Sequence, residues 1–306
     1  MPHPNPAPIH DVRPDQVGQI VQDYHDAGAP NVATTKQPDG NFTIQAFFDA
    51  APPPIIQPGA GITQITQLAA SSEVARYEWR DRGKAPIGYI KGMAVVFARA
   101  YCRLKAGDST AIEMAKADSG DEDKDALAWY RGRFAQVGMK NDVAGVDTLR
   151  HLFVLLIGLG MRESSGRYCE GWDRDKLRHG IQNTAENAEA GLFQVSFDID
   201  PKRPSFAPLY NEYSSNNAPA GLKDIFAEGV NVRSSDASVG AGLGFDFQEL
   251  IKNSPAFAAE FAAVALRKIC RHWGPIIKQA AEVSNSCDAM LMQVQSTVDQ
   301  SNLCPI

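Results

Sequence analysis

The chain has 306 residues, 44% hydrophobic and 22% charged, which is enough for a well-formed core in one large or two modest domains. Thirty basic residues against 36 acidic ones give a net charge of −6, which argues against nonspecific attraction to nucleic acid or to an anionic membrane. No run of about 20 apolar residues offers a membrane span, and the five cysteines show none of the Cys-x-x-Cys spacings of zinc or redox sites.

Residues 1–12 begin Met1-Pro2-His3-Pro4-Asn5-Pro6-Ala7-Pro8 and read as an extended tail or linker, with neither the basic start nor the apolar stretch of a secretory signal. Residues 13–27 place Val17, Ile20, Val21 and Tyr24 on one face of a helix. Residues 31–48 alternate around Pro38-Asp39-Gly40, a turn signal for a hairpin of two short strands. Helices are predicted at about 62–82, 87–106 and 123–138, the second carrying Tyr89, Ile90, Met93, Val96, Phe97, Tyr101 and Leu104 as a packing stripe. The acidic run Asp118 to Asp125 lacks the ligand spacing of an EF-hand and reads as a solvated turn and helix start.

Asp147 to Arg162 is apolar almost all round, with Leu149, Leu152, Phe153, Leu155, Leu156, Ile157 and Leu159, the pattern of a helix enclosed by protein. Glu163 ends it. Helix-terminal carbonyls and an apolar wall both favour the protonated carboxyl, the form that can donate a proton to a leaving oxygen. The plainer reading is an ion pair with Arg162 or Arg167. Ser164-Ser165-Gly166 stops the helix, and residues 166–190 read as a loop or small irregular lobe beside a cleft. That loop carries Glu170, Asp173, Asp175, Glu186 and Glu189. Asp173, next to Trp172, is the candidate for orienting water, because glycoside hydrolysis needs a second carboxylate. Trp172 offers a ring face to a sugar. The other acids read as solvated.

Residues 199–245 are rich in Pro, Ser, Asn and Gly and read as loop, including Gly240-Ala241-Gly242-Leu243-Gly244, which lacks the lysine and strand context of a phosphate loop. Helices resume at about 246–253, 255–273 and 287–299. Tyr210, Tyr213 and His272-Trp273 could face a sugar, although packing at helix ends is the more ordinary use of such residues. Cys287 and Cys304 flank the last helix and form a reasonable pair, with Cys169 joined to Cys102 or Cys270; an all-reduced set is the alternative. The Ser164-Ser165 pair lacks the nucleophile elbow of serine hydrolases.

Arg162-Glu163-Ser164-Ser165-Gly166, followed by Gly191-Leu192-Phe193-Gln194-Val195, resembles the lysozyme-like superfamily, closest to goose-type lysozymes and soluble lytic transglycosylases. The resemblance covers roughly residues 147–200. The residue patterns give a mainly α chain with an N-terminal helical region at 13–140 that includes a possible hairpin at 31–48, and the resemblance implies a lysozyme-like helical catalytic domain at 141–306 with a small β-hairpin or irregular lobe beside the cleft. It also implies that Glu163 is the general acid and that Gly191, Leu192, Phe193, Gln194 and Val195 line the cleft. Gly171-Trp172-Asp173 is one residue shorter than the family's Gly-Trp-Gly-Asp. Ser196 stands where the family has an aspartate, so Asp198 is the nearest acid.

The expected activity is that of a muramidase acting on the β-1,4 bond between N-acetylmuramic acid and N-acetylglucosamine in peptidoglycan. The catalytic set is Glu163, Asp173 and Asp198, and the substrate contacts are Trp172, residues 191–195, Tyr213 and His272. No cofactor, metal or nucleic acid is implied. The alternatives are a lytic transglycosylase, a chitin or chitosan hydrolase, and a non-catalytic glycan-binding module. An enzyme of this kind acts on the cell wall, periplasmic or extracellular, and without a visible signal it would reach its substrate as a trimmed product, through a delivery machine, through lysis or as one module of a longer chain.

Overall fold

The computed structural model describes residues 9–26, 29, 31–47, 60–172, 184–301 and 304, and the chain divides into two units, residues 1–58 and 59–306. In the smaller unit, β1 (Ile9–Val12), α1 (Val17–Asp26), β2 (Asn31–Lys36) and β3 (Phe42–Phe47) form an antiparallel sheet of order β1-β3-β2 with α1 against it. Val17, Ile20, Val21 and Tyr24 are the half-buried positions of α1, as their spacing predicts. The β2–β3 register, Thr34 opposite Ile44 and Lys36 opposite Phe42, is closed by the Pro38-Asp39-Gly40 turn. There Gln37 and Asn41 are joined by a 2.7 Å backbone bond, and Asp39 accepts from the Asn41 N–H at 3.0 Å. Residues 9–12 fall in the stretch read as a tail, yet they pair with β3 and bury Val12. Four residues are too few to show strand periodicity, and only the partner strand reveals them.

The larger unit contains α2 (Ala60–Ser71), the two-residue strands β4 (Glu78–Trp79) and β5 (Gly83–Lys84), α3 (Ile87–Lys105), α4 (Ser109–Met114), α5 (Ala126–Trp129), α6 (Arg131–Gln136) and α7 (Val146–Ser164). After the loop region follow α8 (Ala207–Tyr213), α9 (Lys223–Phe226), α10 (Leu243–Asn253), α11 (Pro255–Leu266), α12 (Gly274–Ile277) and α13 (Asn285–Ser301). The chain is mainly helical, as its sequence predicts. The helix expected over 62–82 stops at Ser71, where the Ser71 and Ser72 hydroxyls bond back to the Leu68 and Ala69 carbonyls. That expected over 123–138 begins late, capped by Asp125 on the Leu127 N–H, and breaks at Tyr130. No helix among the described residues is long and apolar enough to cross a membrane.

The centre of this unit is α3, which contacts α2, α7, α11 and α13. Residues 60–140 therefore share one unit, residues 59–306, with α7. α7 is enclosed from Thr148 to Met161, and α11 is buried along its whole length. The helices α3 and α7 cross closely because position 160 is glycine. A Cβ there would lie 2.4 Å from the Tyr89 hydroxyl, which donates to the Ile157 carbonyl at 2.8 Å.

Cys102 in α3 is bonded to Cys304, with Cα atoms 5.9 Å apart, and Cys169, Cys270 and Cys287 are buried thiols. The expected Cys287–Cys304 pair fails on length. The 17-residue helix α13 begins two residues before Cys287 and runs to Ser301, so at about 1.5 Å per residue its ends are far beyond disulfide reach.

One buried charge is unusual. Glu260 of α11 is 1% exposed and lies 3.4 Å from Arg103, which also holds Glu212 and Asp108 at 3.0 and 3.1 Å. Burial pushes Glu260 up to about 7, against the pull of Arg103 and Arg99. The folded state therefore prefers the protonated acid. This group's contribution to stability is complete below the ordinary carboxylate range and is lost as the pH rises through about 7. Urea denaturation at about pH 5 and about pH 8 should show a loss of up to about 3 kcal/mol in the wild type. Glu260→Gln should flatten that difference, and an unchanged slope would remove Glu260 as its source.

Candidate functional site

Backbone and side-chain hydrogen bonds hold the end of α7. The Ser165 N–H donates to the Met161 carbonyl and the Gly166 N–H to the Gly160 carbonyl, both at 3.1 Å, with Ser165 in the left-handed region at φ 55°. One more bond reaches outside the helix. Ser164, 3% exposed, donates its hydroxyl to the Leu192 carbonyl at 2.8 Å and lies 3.1 Å from the Gly160 carbonyl. It thus joins the Arg-Glu-Ser-Ser-Gly segment directly to Gly-Leu-Phe-Gln-Val, 28 residues downstream.

The second segment is a tight reversal. Ala190 and Val195 exchange backbone bonds at 3.1 and 3.2 Å, and Gln194 takes a positive φ of 46°, with its side-chain amide donating to the Gly191 carbonyl at 3.0 Å. The Gly191 N–H donates to the Glu170 carbonyl at 2.8 Å, which brings the loop after α7 against the same turn.

These contacts enclose a cleft of about 320 Å³ lined by Glu163, Glu170, Gly171, Trp172, Glu189, Gln194 and Ser235. Of the residues proposed from sequence, Glu163, Trp172 and Gln194 share this cleft. Leu192, Phe193 and Val195 do not face it: they are 0, 1 and 2% exposed. They form the core behind the wall, where the Phe193 carbonyl accepts from the Trp273 ring N–H at 2.8 Å. Gly191 fixes the turn through its backbone. Asp173 lies outside the described residues.

The remaining expectations are placed elsewhere. Asp198 is exposed, accepts from the Ser196 hydroxyl, and is tied to the Glu186 carbonyl through its own N–H at 2.9 Å. Tyr213 is 4% exposed, accepts from Arg99 at 3.0 Å and packs on Phe257. His272 meets Trp273 edge to face at 5.1 Å. None of these three is among the described residues that line the cleft, because their ring and carboxylate positions serve neighbouring contacts.

Glu170, Glu189 and Ser235 do line it, although sequence reading treats the two acids as solvated and passes over the serine. Glu170 is oriented by Arg167, whose Nε donates to it at 2.7 Å; the other end of that guanidinium donates to buried Asp236 at 2.6 Å. Burial works against Arg167's charge, yet Glu170 and Asp236 hold its pKa above the ordinary value. Burial and Asp236 together push the neighbouring Cys169 thiol up to about 11, so it stays protonated and unreactive. Position 171 must be glycine, since a Cβ would lie 2.1 Å from the Ser235 carbonyl oxygen. A glycine between an acid and a tryptophan is the one local signal that could have pointed to this close approach.

Three carboxylates, an amide and an indole around one cleft can bind hydroxylated ligands, donate and accept protons, and orient water. Among the described residues, no group of three His, Cys, Asp or Glu side chains is placed to hold a metal ion. Comparison with known families, characterised proteins and solved structures finds no match.

Replacing Ser164 by alanine removes the Leu192 carbonyl's donor in a buried place. Thermal or urea denaturation should show a loss of about 1–3 kcal/mol, with Ser164→Thr less damaging. A variant as stable as the wild type would show that this bond does not hold the two segments together.

Proposed function

We propose that the chain is a peptidoglycan hydrolase of the muramidase type, cleaving the β-1,4 bond between N-acetylmuramic acid and N-acetylglucosamine. The observation that carries this reading is the placement of Glu163 at the end of an enclosed helix, in one cleft with Glu170, Glu189, Gln194 and Trp172. Glu163 is the general acid, giving its proton to the leaving glycosidic oxygen as the sugar takes on oxocarbenium character. Glu170 or Glu189, which line the cleft, or Asp173, the leading candidate from sequence together with Asp198, orients and deprotonates the attacking water. Trp172 offers its ring to a sugar face, and Gln194 offers amide hydrogen bonds to hydroxyl or acetamido groups.

The Arg167 bridge gives Glu170 a fixed orientation, which a positioned base requires. The Cys102–Cys304 bond suits the oxidising compartments outside the cytosol, where the wall lies. Non-catalytic glycan binding would need the indole and the amide but no acid placed at the helix end. A transglycosylase would use Glu163 with a hydroxyl of the substrate itself as nucleophile.

Purified sacculi should lose turbidity with the wild type, and Glu163→Gln should slow that loss by about 10²–10⁴-fold. Mass analysis of the products should give reducing N-acetylmuramic acid ends. Full activity in Glu163→Gln would refute the assignment of the acid, and 1,6-anhydro ends would replace hydrolysis by transglycosylation. Single Glu170→Gln, Glu189→Gln and Asp173→Asn variants identify the residue that handles water.

A further inference from the structure

A second concavity, of about 380 Å³, borders the same helix end and is lined by Arg80, Arg133 and Arg162 together with Asp81, Glu282 and Gln279. Arg162 immediately precedes Glu163, and successive helical residues point about 100° apart. The last turn of α7 therefore presents its acid to one cavity and its base to the other.

The three guanidinium groups are poorly matched by the acids around them. Both oxygens of Glu282 are taken by neutral donors, the Tyr77 hydroxyl at 3.0 Å and the Arg80 backbone N–H at 2.8 Å. Asp81, at 79% exposure, stands 3.8 Å from Arg162. Arg162 donates to the Arg80 carbonyl at 3.2 Å, and its Nε is buried with no protein partner. Among the described residues, the guanidinium groups of Arg80 and Arg133 have neither an ion pair nor a hydrogen bond.

This local excess of positive charge belongs to a chain whose net charge is −6. We propose that the arginine-lined cavity binds a carboxylate of the substrate, one carried by the lactyl or peptide groups of the glycan strand, while the neighbouring cleft holds the sugars. This rests on the reading of the cleft as a peptidoglycan site. Planar guanidinium groups bind carboxylates through paired N–H donors. The site also supplies what the overall charge does not, a local attraction for an anionic polymer. A neutral amino-sugar polymer would gain nothing from it, so the cavity selects peptidoglycan over chitin.

Arg80→Gln/Arg133→Gln tests this while leaving Arg162 and the cleft intact. Calorimetric titrations at low salt would use a soluble disaccharide–tetrapeptide wall fragment and, as the neutral control, chitohexaose. The double variant should bind the anionic fragment about 10-fold more weakly, the loss of roughly one charge-assisted contact. Its affinity for chitohexaose and its circular dichroism should be unchanged. Equal affinity of the two proteins for the anionic fragment overturns the inference, as does a wild type that fails to bind it. Arginine-dependent binding together with wall clearance that survives Glu163→Gln would leave the anion site standing and remove the catalytic reading. Clearance that needs Glu163 but is indifferent to both arginines would do the reverse.

Discussion

The Ser164 hydroxyl is the point at which the two halves of the cleft become one object. Its donor bond to the Leu192 carbonyl is made in a buried place, where the carbonyl has no water to fall back on. The position of Glu163 follows from it. A helix end is ordinarily where a helix frays. Here the terminus is enclosed by α3, locked through Tyr89 onto the Ile157 carbonyl, and stitched to the Gly191–Val195 turn. The backbone of the residue just before the stitch is thereby held at the cleft.

The opposite wall depends on a different kind of contact. Arg167 spans Glu170 and Asp236 with bonds of 2.7 and 2.6 Å, and Asp236 in turn accepts from the Arg233 N–H at 2.7 Å while its carbonyl takes the Lys252 ammonium at 2.9 Å. Burial lowers the pKa of Lys252, and Glu249 and Asp236 oppose that shift. The segment around Ser235 is thereby pressed onto Gly171 at a distance that excludes any side chain. Buried charges of this type contribute less to stability than their geometry suggests, because desolvation offsets the attraction. Their clearer effect is to fix the position of an irregular loop that has no ladder of its own.

Much of this was legible in the residues. Enclosure of α7 follows from its apolar circumference, the end of the helix from Ser-Ser-Gly, the hairpin from Pro-Asp-Gly, and the α3 stripe from its spacing. Glu163, Trp172 and Gln194, which share the cleft, each stand in a local sequence pattern that singles them out. Legibility failed where the cause lies far away in the chain. Leu192, Phe193 and Val195 read as cleft residues, but apolar side chains in a tight reversal turn inward, and only the backbone and Gln194 are left to form the wall. Tyr213 was unreadable for the same reason, since its partners Arg99 and Phe257 come from other helices. Ser235 carries no motif at all. Its place is set by Arg167 and Asp236, whose pairing across 69 residues leaves no periodic trace, and Cys102 and Cys304 meet across 202.

The most direct test of the account is a crystal structure of Glu163→Gln bound to a tetrasaccharide of alternating N-acetylglucosamine and N-acetylmuramic acid. The account predicts the sugar chain in the cleft of Glu170, Glu189 and Gln194, one ring against Trp172, and a glycosidic oxygen within hydrogen-bond distance of residue 163. A tetrasaccharide seated elsewhere, or in the cleft with residue 163 out of reach of every glycosidic oxygen, would contradict it.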